Sequence, residues 1–239
     1  MTETSLDRLL GGRVQLEQPR RGLRAAVDAV LLAAAIPARA GDPVLDLGCG
    51  AGQVFLCLAA RVGALSVQAV ELDPELAELA RRNAARAGLA ARIEQADLSR
   101  VRLDPVRHAF ANPPYWPAGT ASPDPARRLA AHEGAVGLTD WAAALSRALA
   151  PGGTASLILP AARFSAGAAA LRAAGCGALA LLPIWPRAGE PARRVILQGM
   201  RGGRGPDRLL PGLVLHGADG RFTPEAEAVL RHAAPLPMR

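Results

Sequence analysis

Residues 43–53 read PVLDLGCGAGQ, and this stretch decides the fold class. It opens with a short apolar run that ends in glycine, which predicts a buried parallel strand. Gly48, Gly50 and Gly52 then allow a tight turn and let a ligand approach the amide groups at the start of a helix. The match to the dinucleotide fingerprint G-x-G-x-x-G is poor, because Gln53 stands where its third glycine falls. A purely structural turn is the alternative.

Strands and helices alternate along most of the chain. Apolar runs predict strands over 43–48, 67–72, 91–97, 108–115, 154–160, 178–184 and 193–200. Helices are predicted over 53–63, 73–88, 139–153 and 162–175. Asp73 and Thr139 are the expected N-caps, and Gly88 is the expected C-terminal stop. Alternation at this spacing predicts an α/β fold, a doubly wound and mostly parallel sheet with helices on both faces.

The composition favours an anionic partner. The chain has 239 residues, of which 50% are hydrophobic, and this suits one sizeable domain with a buried core. All 28 basic residues are arginine, and with 21 acidic residues they give a formal net charge of +7. A biased coding sequence explains the missing lysines, but the positive charge itself still favours an anionic partner, and nucleic acid is the usual one.

Cysteine usage and hydropathy predict a cytoplasmic protein that binds neither metal nor membrane. Cys49, Cys57 and Cys176 show no metal-ligand spacing, and their odd number fits a reduced compartment. The first residues are polar and charged, unlike a signal peptide. The apolar run 25–36 contains Asp28 and is too short to span a bilayer, so we expect a core helix there.

Carboxylates stand at the ends of three successive predicted strands. Asp46 could meet an ammonium group, Glu71 could accept hydrogen bonds from two ribose hydroxyls, and Asp97 could face an adenine ring. Ligands of open parallel sheets bind at this edge. A site rich in acids suits a ligand with positive charge better than a pyrophosphate. S-adenosylmethionine, which carries a sulfonium and an ammonium group, fits this requirement.

The fourth strand ends in Asn112-Pro113-Pro114-Tyr115. The side-chain oxygen of Asn112 and the carbonyl of Pro113 are two acceptors held close together, and the prolines remove competing N–H donors. Tyr115 adds a flat face on which an unstacked base can lie. Such a turn suits a planar amine whose lone pair must be aligned with a methyl group, and this chemistry needs no strong base. A rigid Pro-Pro turn without function is the alternative.

DLGCGAG, VELDP and QADL resemble the cofactor motifs of class I S-adenosylmethionine-dependent methyltransferases, from about residue 43 to about residue 160. The resemblance implies a Rossmann-like, seven-stranded fold. It also implies a set of cofactor-binding residues: Asp28, Asp46, Gly48, Cys49, Gly50, Glu71, Leu72, Asp97, Leu98 and Asn112. NPPY is similar to the signature of amino-methyltransferases that act on adenine N6 and of those that act on glutamine side chains.

The segment 11–36 resembles the N-terminal part of bacterial methyltransferases that modify N6 of a tRNA adenine beside the anticodon. The resemblance implies that a helix with the pattern D-x-x-L-L, beginning at Asp28, lies over the cofactor. It implies adenine N6 in RNA, most simply tRNA, as the methyl acceptor, with Asn112, Pro113, Pro114 and Tyr115 as catalytic residues. A protein glutamine or small-molecule amine as acceptor, and an inactive RNA-binding protein, remain alternatives.

Substrate contacts are expected from Arg24, Trp116, Arg127 and Arg128. The two loop arginines lie in the Pro/Gly-rich segment 116–137, which could close over a substrate. His132 and Glu133 lie in the same segment and offer acid–base chemistry as an alternative. Further arginines, at 193, 194, 201, 204 and 208, are candidates for phosphate contacts. We expect an N-terminal segment and covering helix over 1–40, a catalytic core over 41–200, and a C-terminal strand pair and helix over 201–239.

Overall fold

The computed structural model describes residues 3–20, 27–98, 100–114 and 136–239. The strands there are β1 (Thr4–Leu9), β2 (Val14–Pro19), β3 (Pro43–Leu47), β4 (Ser66–Glu71), β5 (Ala91–Gln95), β6 (Val106–Ala111), β7 (Leu149–Pro160), β8 (Cys176–Arg187), β9 (Arg194–Arg201), β10 (Arg208–Leu209) and β11 (Leu213–His216). The α-helices are α1 (Val27–Ala35), α2 (Gln53–Val62), α3 (Pro74–Arg86), α4 (Leu138–Ala148), α5 (Phe164–Ala173) and α6 (Pro224–His232). The predicted α/β fold is confirmed.

The main sheet has the strand order β10-β8-β9-β7-β6-β3-β4-β5, and β11 also pairs with β8. Only β9 among these described strands runs antiparallel to its neighbours, β7 and β8. Seven of the strands match those predicted, and the short β10 and β11 extend the sheet beyond β8. The order reverses between β3 and β6, and ligands of open α/β sheets bind at such a switch point.

Two hydrophobic cores cover the two faces of this sheet. Buried side chains of α1, α2, α3 and α6 pack on one face, and those of α4 and α5 pack on the other. Phe110 from β6 is fully buried in the first core, and its neighbours Ala109 and Ala111 are buried in the second. Strands buried on both faces explain why the sequence shows continuous apolar runs rather than alternation.

Local signals set the limits of α3 as expected. Asp73 is the N-cap, and its carboxylate accepts hydrogen bonds from the amides of Glu75 and Leu76 at 2.8 and 3.1 Å. Pro74 occupies the first turn, where its missing N–H costs nothing. Gly88 follows the helix with a φ of 63°, the left-handed stop that favours glycine.

Three details differ from the sequence prediction. The helix predicted over 139–153 is α4, which ends at Ala148, because Leu149 is already extended and pairs with Val106. Its N-cap is Gly137, whose amide donates to Asp140, so Thr139 lies inside the helix. The strand pair predicted around 218–220 is a single bridge between His216 and Phe222, because β11 pairs in parallel with β8 instead.

The N-terminal segment contains a β-hairpin that the sequence did not predict. Strands β1 and β2 pair antiparallel across a turn at Leu10–Gly12. Asn83 of α3 holds this hairpin, because its side chain accepts from the Glu17 amide at 2.9 Å and donates to the Glu17 carbonyl at 2.8 Å. The same amide group donates to the carbonyl of Ala51 at 2.9 Å, which joins the hairpin to the glycine turn.

The strand register brings three turns together. Leu47, the last residue of β3, pairs with Ala111 of β6 and with Val70 of β4. The next residues along these strands are therefore neighbours, and they are Gly48, Asn112 and Glu71. We call this side of the sheet, where the parallel strands end, the carboxyl edge. None of the helices within the described ranges has the length and apolar character needed to cross a bilayer.

A buried histidine lies at the opposite edge of the sheet. His108 of β6 is 4% exposed, and its Nδ1 lies 2.8 Å from the hydroxyl of Thr154. Its Nε2 lies 3.5 Å from a carboxylate oxygen of Asp42. Burial lowers the pKa of His108 to about 4, and this loss of hydration outweighs the attraction of Asp42.

We predict that His108 destabilises the fold as the pH falls. Between pH 6.5 and 4 the unfolded chain binds a proton at this histidine that the folded chain does not, so stability declines through that window. The expected loss between pH 7 and pH 5 is about 2 kcal/mol. Urea unfolding of the wild type and of His108→Gln, which keeps a group able to bond Thr154, measures it. Parallel pH curves for the two proteins would contradict the assignment.

Candidate active site

The turn after β3 requires glycine at three positions, Gly48, Gly50 and Gly52. Gly48 has a φ of 64° and Gly50 has a φ of 56°, values that side-chain-bearing residues rarely adopt. A Cβ at Gly48 would lie 2.6 Å from the Trp141 ring, and one at Gly50 would lie 2.8 Å from the Gln53 side chain. Trp141 and Gln53 occupy the space that side chains would take, and the half-buried backbone of the turn lies at the carboxyl edge, where ligands of open sheets bind.

Glu71, at the end of β4, is fixed against this turn. One carboxylate oxygen accepts from the amide of Gly50 at 2.7 Å, and the other accepts from the amide of Asp73 at 3.0 Å. Glu71 is only 4% exposed, and its burial raises the pKa of the carboxyl group. A carboxylate can accept about four hydrogen bonds, so Glu71 keeps acceptor capacity for a ribose hydroxyl beside these backbone amides.

Asp46, in β3, is a second buried carboxylate beside Glu71. It is 1% exposed, and it accepts from the amide of Phe55 at 3.3 Å. Burial raises its pKa well above the usual value, and the nearby charge of Glu71 raises it further. Among the described residues no arginine forms an ion pair with either carboxylate. The ionised forms of both carboxyl groups are therefore disfavoured by burial, and a cation bound beside them would stabilise the negative charge.

Cys49 lies beside the same two buried carboxylates, Asp46 and Glu71, and its pKa responds to them. Its thiol is buried and lies 3.6 Å from the carbonyl of Gly50. Burial raises the pKa of this thiol well above its normal value, and Asp46 and Glu71 add to the effect. Cys49 is therefore a neutral thiol in the folded protein, and it is not a nucleophile.

The turn after β5 completes one side of the site. The backbone carbonyl of Asp97 accepts hydrogen bonds from the amides of Arg100 and Val101. Leu98 is half-buried against the core formed by α4 and α5, whereas Leu72, after β4, is 48% exposed. The amide of Ala96 bonds to the carbonyl of Glu71 at 3.0 Å, so the turns after β4 and β5 are joined.

The turn after β6 faces the glycine turn. Asn112 is half-buried, Pro113 is buried and Pro114 is half-buried. The register makes Asn112 a neighbour of Gly48, at the strand spacing of about 4.8 Å. Tyr115 lies outside the described residues. The structure thus brings together three of the four predicted catalytic residues and the glycine turn.

Asp28 takes part in an ion pair that the sequence did not reveal. It lies in the first turn of α1, and its carboxylate lies 2.8 Å from the guanidinium Nε of Arg194, at the start of β9. The pair joins α1 to the carboxyl edge. The predicted cofactor contact of Asp28 stays a prediction. Arg24, Trp116, Arg127 and Arg128, together with His132 and Glu133, lie outside the described residues.

Two further residues shape the site without a local sequence signal. Trp141 of α4 is 5% exposed, and its indole packs on Gly48. Gln53, the first residue of α2, packs against Gly50. Both contacts leave the glycine turn little freedom. Gln53 was notable in the sequence only because it breaks the dinucleotide pattern.

The comparisons with known proteins give the family. A family model described as a methyltransferase domain matches residues 44–111. A curated tRNA1(Val) (adenine(37)-N6)-methyltransferase from Aeromonas hydrophila is 34% identical over 212 residues, which cover 87% of this chain and 89% of the relative. The chain belongs to this methyltransferase family. A relative of the same name from Shewanella amazonensis is 32% identical over 76% of this chain and 79% of its own length.

Solved structures agree with this family. A crystal structure described as a predicted O-methyltransferase from Agrobacterium tumefaciens matches with a TM-score of 0.72 and 27% identity, over 88% of this chain and 98% of that one. The protein is thus a class I methyltransferase, as the sequence predicted, and its cofactor is S-adenosylmethionine.

The residues of this methyltransferase fit that cofactor. Asp46 and Glu71 are buried carboxylates without a cationic partner among the described residues, and a sulfonium with an ammonium group supplies the missing positive charge. The half-buried backbone of Gly48 and Gly50 lies at the carboxyl edge, with the amide of Gly50 bonded to Glu71. Within the described ranges no three His, Cys, Asp or Glu side chains are placed to hold a metal ion.

We predict that Asp46→Asn stabilises this methyltransferase and weakens cofactor binding. Asparagine keeps an oxygen for the Phe55 amide but removes the buried charge, and the expected affinity loss is about tenfold, as for one charged contact. Because the pKa of Asp46 is raised in the folded protein, ionisation of this carboxyl group destabilises the fold, and the destabilisation grows as the pH rises above about 4. The gain in thermal stability is therefore larger at pH 7 than at pH 4.

Calorimetric titration with S-adenosylmethionine and thermal unfolding at both pH values measure these effects. Asp104→Asn is the matched control, because it removes one exposed carboxylate before β6, at the opposite edge of the sheet. Equal cofactor affinity in the two variants would show that Asp46 does not act on the cofactor.

Proposed function

We propose that this methyltransferase transfers a methyl group to the exocyclic N6 of an adenine in tRNA. The single observation that carries the proposal is the register of β3 and β6, which makes Asn112 a neighbour of Gly48. An amine held at the Asn112 turn lies beside a cofactor held at the glycine turn. The 34% identity with the Aeromonas hydrophila enzyme over 87% of the chain makes adenine 37 of tRNA1(Val) the first RNA to test.

The Asn112 turn offers acceptors to a flat amine. The Asn112 side-chain oxygen and the Pro113 carbonyl can each accept one N–H of the exocyclic group. The prolines fix the backbone φ angles and contribute no N–H of their own that would compete. With both hydrogens held, the nitrogen can become more tetrahedral, and its lone pair is then aligned for transfer.

S-adenosylmethionine, when bound, supplies a methyl group on a positively charged sulfur. Asp46 and Glu71 would hold the cationic and ribose parts of this cofactor, and Asp97 and Leu98 would border its adenine. As the N–C bond forms and the C–S bond breaks, positive charge passes from the sulfur, which leaves as a neutral thioether, to the acceptor nitrogen, and the proton on that nitrogen is then lost to water. The residues at the turn therefore need to orient and stabilise charge, and a strong general base is not required.

The O-methyltransferase description of the Agrobacterium tumefaciens structure raises a second acceptor chemistry. A hydroxyl must lose its proton before or during methylation, which calls for a base beside the acceptor. Asn112, Pro113 and Pro114 supply acceptors but no titratable group. This arrangement supports an amine as the acceptor. A protein glutamine amide would also fit the turn, and the product assay below separates it from adenine.

A tRNA substrate is consistent with the positive net charge of the protein and with its expected cytoplasmic location. The net charge of +7 favours a polyanion, and the tRNA substrate in the relatives' name supports a cytoplasmic location. The late arginines divide between two edges of the sheet. Arg193 and Arg194 lie at the carboxyl edge, whereas Arg201 ends the antiparallel β9 at the opposite edge and donates to the carbonyl of Leu149. Arg193 and Arg194 therefore lie where they could contact an RNA whose target base is bound at Asn112.

Mass spectrometry of nucleosides tests the proposal. The protein is incubated with isotope-labelled S-adenosylmethionine and bulk tRNA, and the RNA is then digested. We expect label in N6-methyladenosine, with purified tRNA1(Val) as the best acceptor. Label in protein, or in a small metabolite, would overturn adenine as the acceptor, and no label in any fraction would overturn catalysis.

We predict that Asn112→Ala lowers the turnover number by about two to three orders of magnitude, as expected for one key transition-state contact. Although the resemblance includes Asn112 among the cofactor-binding residues, the affinity for S-adenosylmethionine should change little, because the proposed function assigns the side chain to the acceptor amine. Asn112→Asp is the matched variant: it keeps an acceptor oxygen and should retain more activity than alanine. Single-turnover kinetics measure both, and undiminished turnover in Asn112→Ala would contradict the role of Asn112.

A further inference from the structure

The aromatic residues of this chain are distributed unevenly. Of the Phe and Trp residues that the structure describes, Phe55, Phe110 and Trp141 are buried in the two cores. The other three, Phe164, Trp185 and Phe222, are not buried, and Phe164 is 50% exposed. Phe222 packs against the first core, whereas Phe164 and Trp185 belong to neither core, which is notable in a chain with 3% aromatic residues.

These rings lie at the carboxyl edge. In the pairing of β11 with β8, Val214 lies beside Trp185, and His216 lies beside Arg187. Residues two apart on a strand share a face, so Trp185, Arg187 and His216 are on one face of the sheet. The ring of His216 stacks on Phe222 with centroids 4.9 Å apart and planes 24° from parallel.

The indole of Trp185 is held in place from the side. Its Nε1 donates to the carbonyl of Pro211 at 3.3 Å, and a Cβ at Gly212 would lie 2.5 Å from the same nitrogen. Phe164 begins α5, directly after the short 3₁₀ turn that follows β7. It therefore belongs to the same edge, one strand away from β6. We call Phe164, Trp185, Arg187, His216 and Phe222 the edge surface.

The edge surface lies close to the site of methyl transfer. The register aligns Ala111 of β6 with Leu157 of β7, Leu197 of β9 and Leu181 of β8. Three strand spacings separate β6 from β8, which is about 14 Å. Trp185 lies four residues beyond Leu181 towards the carboxyl edge, as Pro114 lies three residues beyond Ala111. A few nucleotides of an extended RNA strand bridge that distance.

The charges on this surface suit phosphate. Arg187 forms an ion pair with Glu190 at 3.1 Å, and both side chains are exposed, so the pair is weak and a phosphate can replace the carboxylate. Arg163 precedes Phe164, and the exposed Arg193 follows the β8–β9 connection with its amide bonded to the carbonyl of Ile184. Stacking rings interleaved with arginines are the usual construction of a site for single-stranded nucleic acid.

We propose that the edge surface binds the unpaired RNA nucleotides that flank the target adenine. Phe164 and Trp185 stack on bases, and Arg187 contacts a phosphate. The inference rests on the proposed function, since a base that is methylated at N6 must leave its stack, and its neighbours then lose a stacking partner. The edge surface replaces that partner and keeps the strand open beside Asn112.

Phe164→Ala and Arg187→Gln test the edge surface, and each has a matched control. Phe164→Tyr keeps a stacking ring at the same position. Arg204→Gln removes an equal charge from an exposed arginine in the segment after β9, at the opposite edge of the sheet. Phe164, Arg187 and Arg204 are exposed and lie outside the glycine turn and the Asn112 turn, so these substitutions leave the cofactor-binding residues in place.

The measurements are the Kd for full-length tRNA, its salt dependence, and the separate kcat and KM values. We expect Phe164→Ala to raise the Kd and KM for tRNA about tenfold, as for loss of one base stack, with kcat and the KM for S-adenosylmethionine unchanged. Phe164→Tyr should restore binding. Arg187→Gln should reduce the slope of log K against log salt by about one, and Arg204→Gln should leave it unchanged.

The results that would overturn the edge surface alone differ from the result that would overturn the proposed function. If the wild type methylates adenine N6 in tRNA but Phe164→Ala binds tRNA equally well, or if Arg204→Gln weakens binding as much as Arg187→Gln, the edge surface is wrong and the function stands. If the wild type places no methyl group on adenine N6, the proposed function fails, and the edge surface fails with it.

Discussion

The register of β3 between β4 and β6 is the constraint on which the site depends. Leu47 pairs with both Val70 and Ala111, so the glycine turn, Glu71 and Asn112 leave the sheet at the same level. Each of these groups comes from a different part of the chain. A slip of one residue would turn every buried side chain of a strand to the other face, and both cores would be lost. The two cores that stabilise the fold therefore also fix the distance between the cofactor turn and the acceptor turn.

The cofactor site is electrostatically unfavourable without its ligand. Asp46 and Glu71 are both buried, the pKa of each is raised, and no arginine among the described residues neutralises them. Their burial costs stability that the surrounding packing must offset, a common situation at sites that bind a charged ligand. The glycine turn adds backbone conformations that only glycine adopts readily. A cationic cofactor removes the electrostatic cost. Selectivity for S-adenosylmethionine therefore follows from the absence of a cationic partner for Asp46 and Glu71 among the described residues.

Local signals in the sequence were sufficient for seven strands of the main sheet, the glycine turn and the cap of α3, since each of these depends on residues that are near one another in the chain. Long-range contacts were not predictable in this way. Arg194 is 166 residues from Asp28, and Asn83 is 66 residues from Glu17, so no spacing rule reveals either pair. Asn83 did carry a signal, since it is a polar residue on the buried stripe of α3 with Ala80 and Ala84. The late arginines looked like one cluster in the sequence, but the antiparallel direction of β9 separates them.

A crystal structure with S-adenosylhomocysteine and adenosine monophosphate tests the central claim most directly. The account predicts that the adenine N6 lies within hydrogen-bond distance of both the Asn112 side-chain oxygen and the Pro113 carbonyl. It also predicts that the ribose hydroxyls of the cofactor product bond to Glu71. A complex in which Asn112 points away from the bound nucleotide, or in which no purine fits beside the cofactor sulfur, would contradict it.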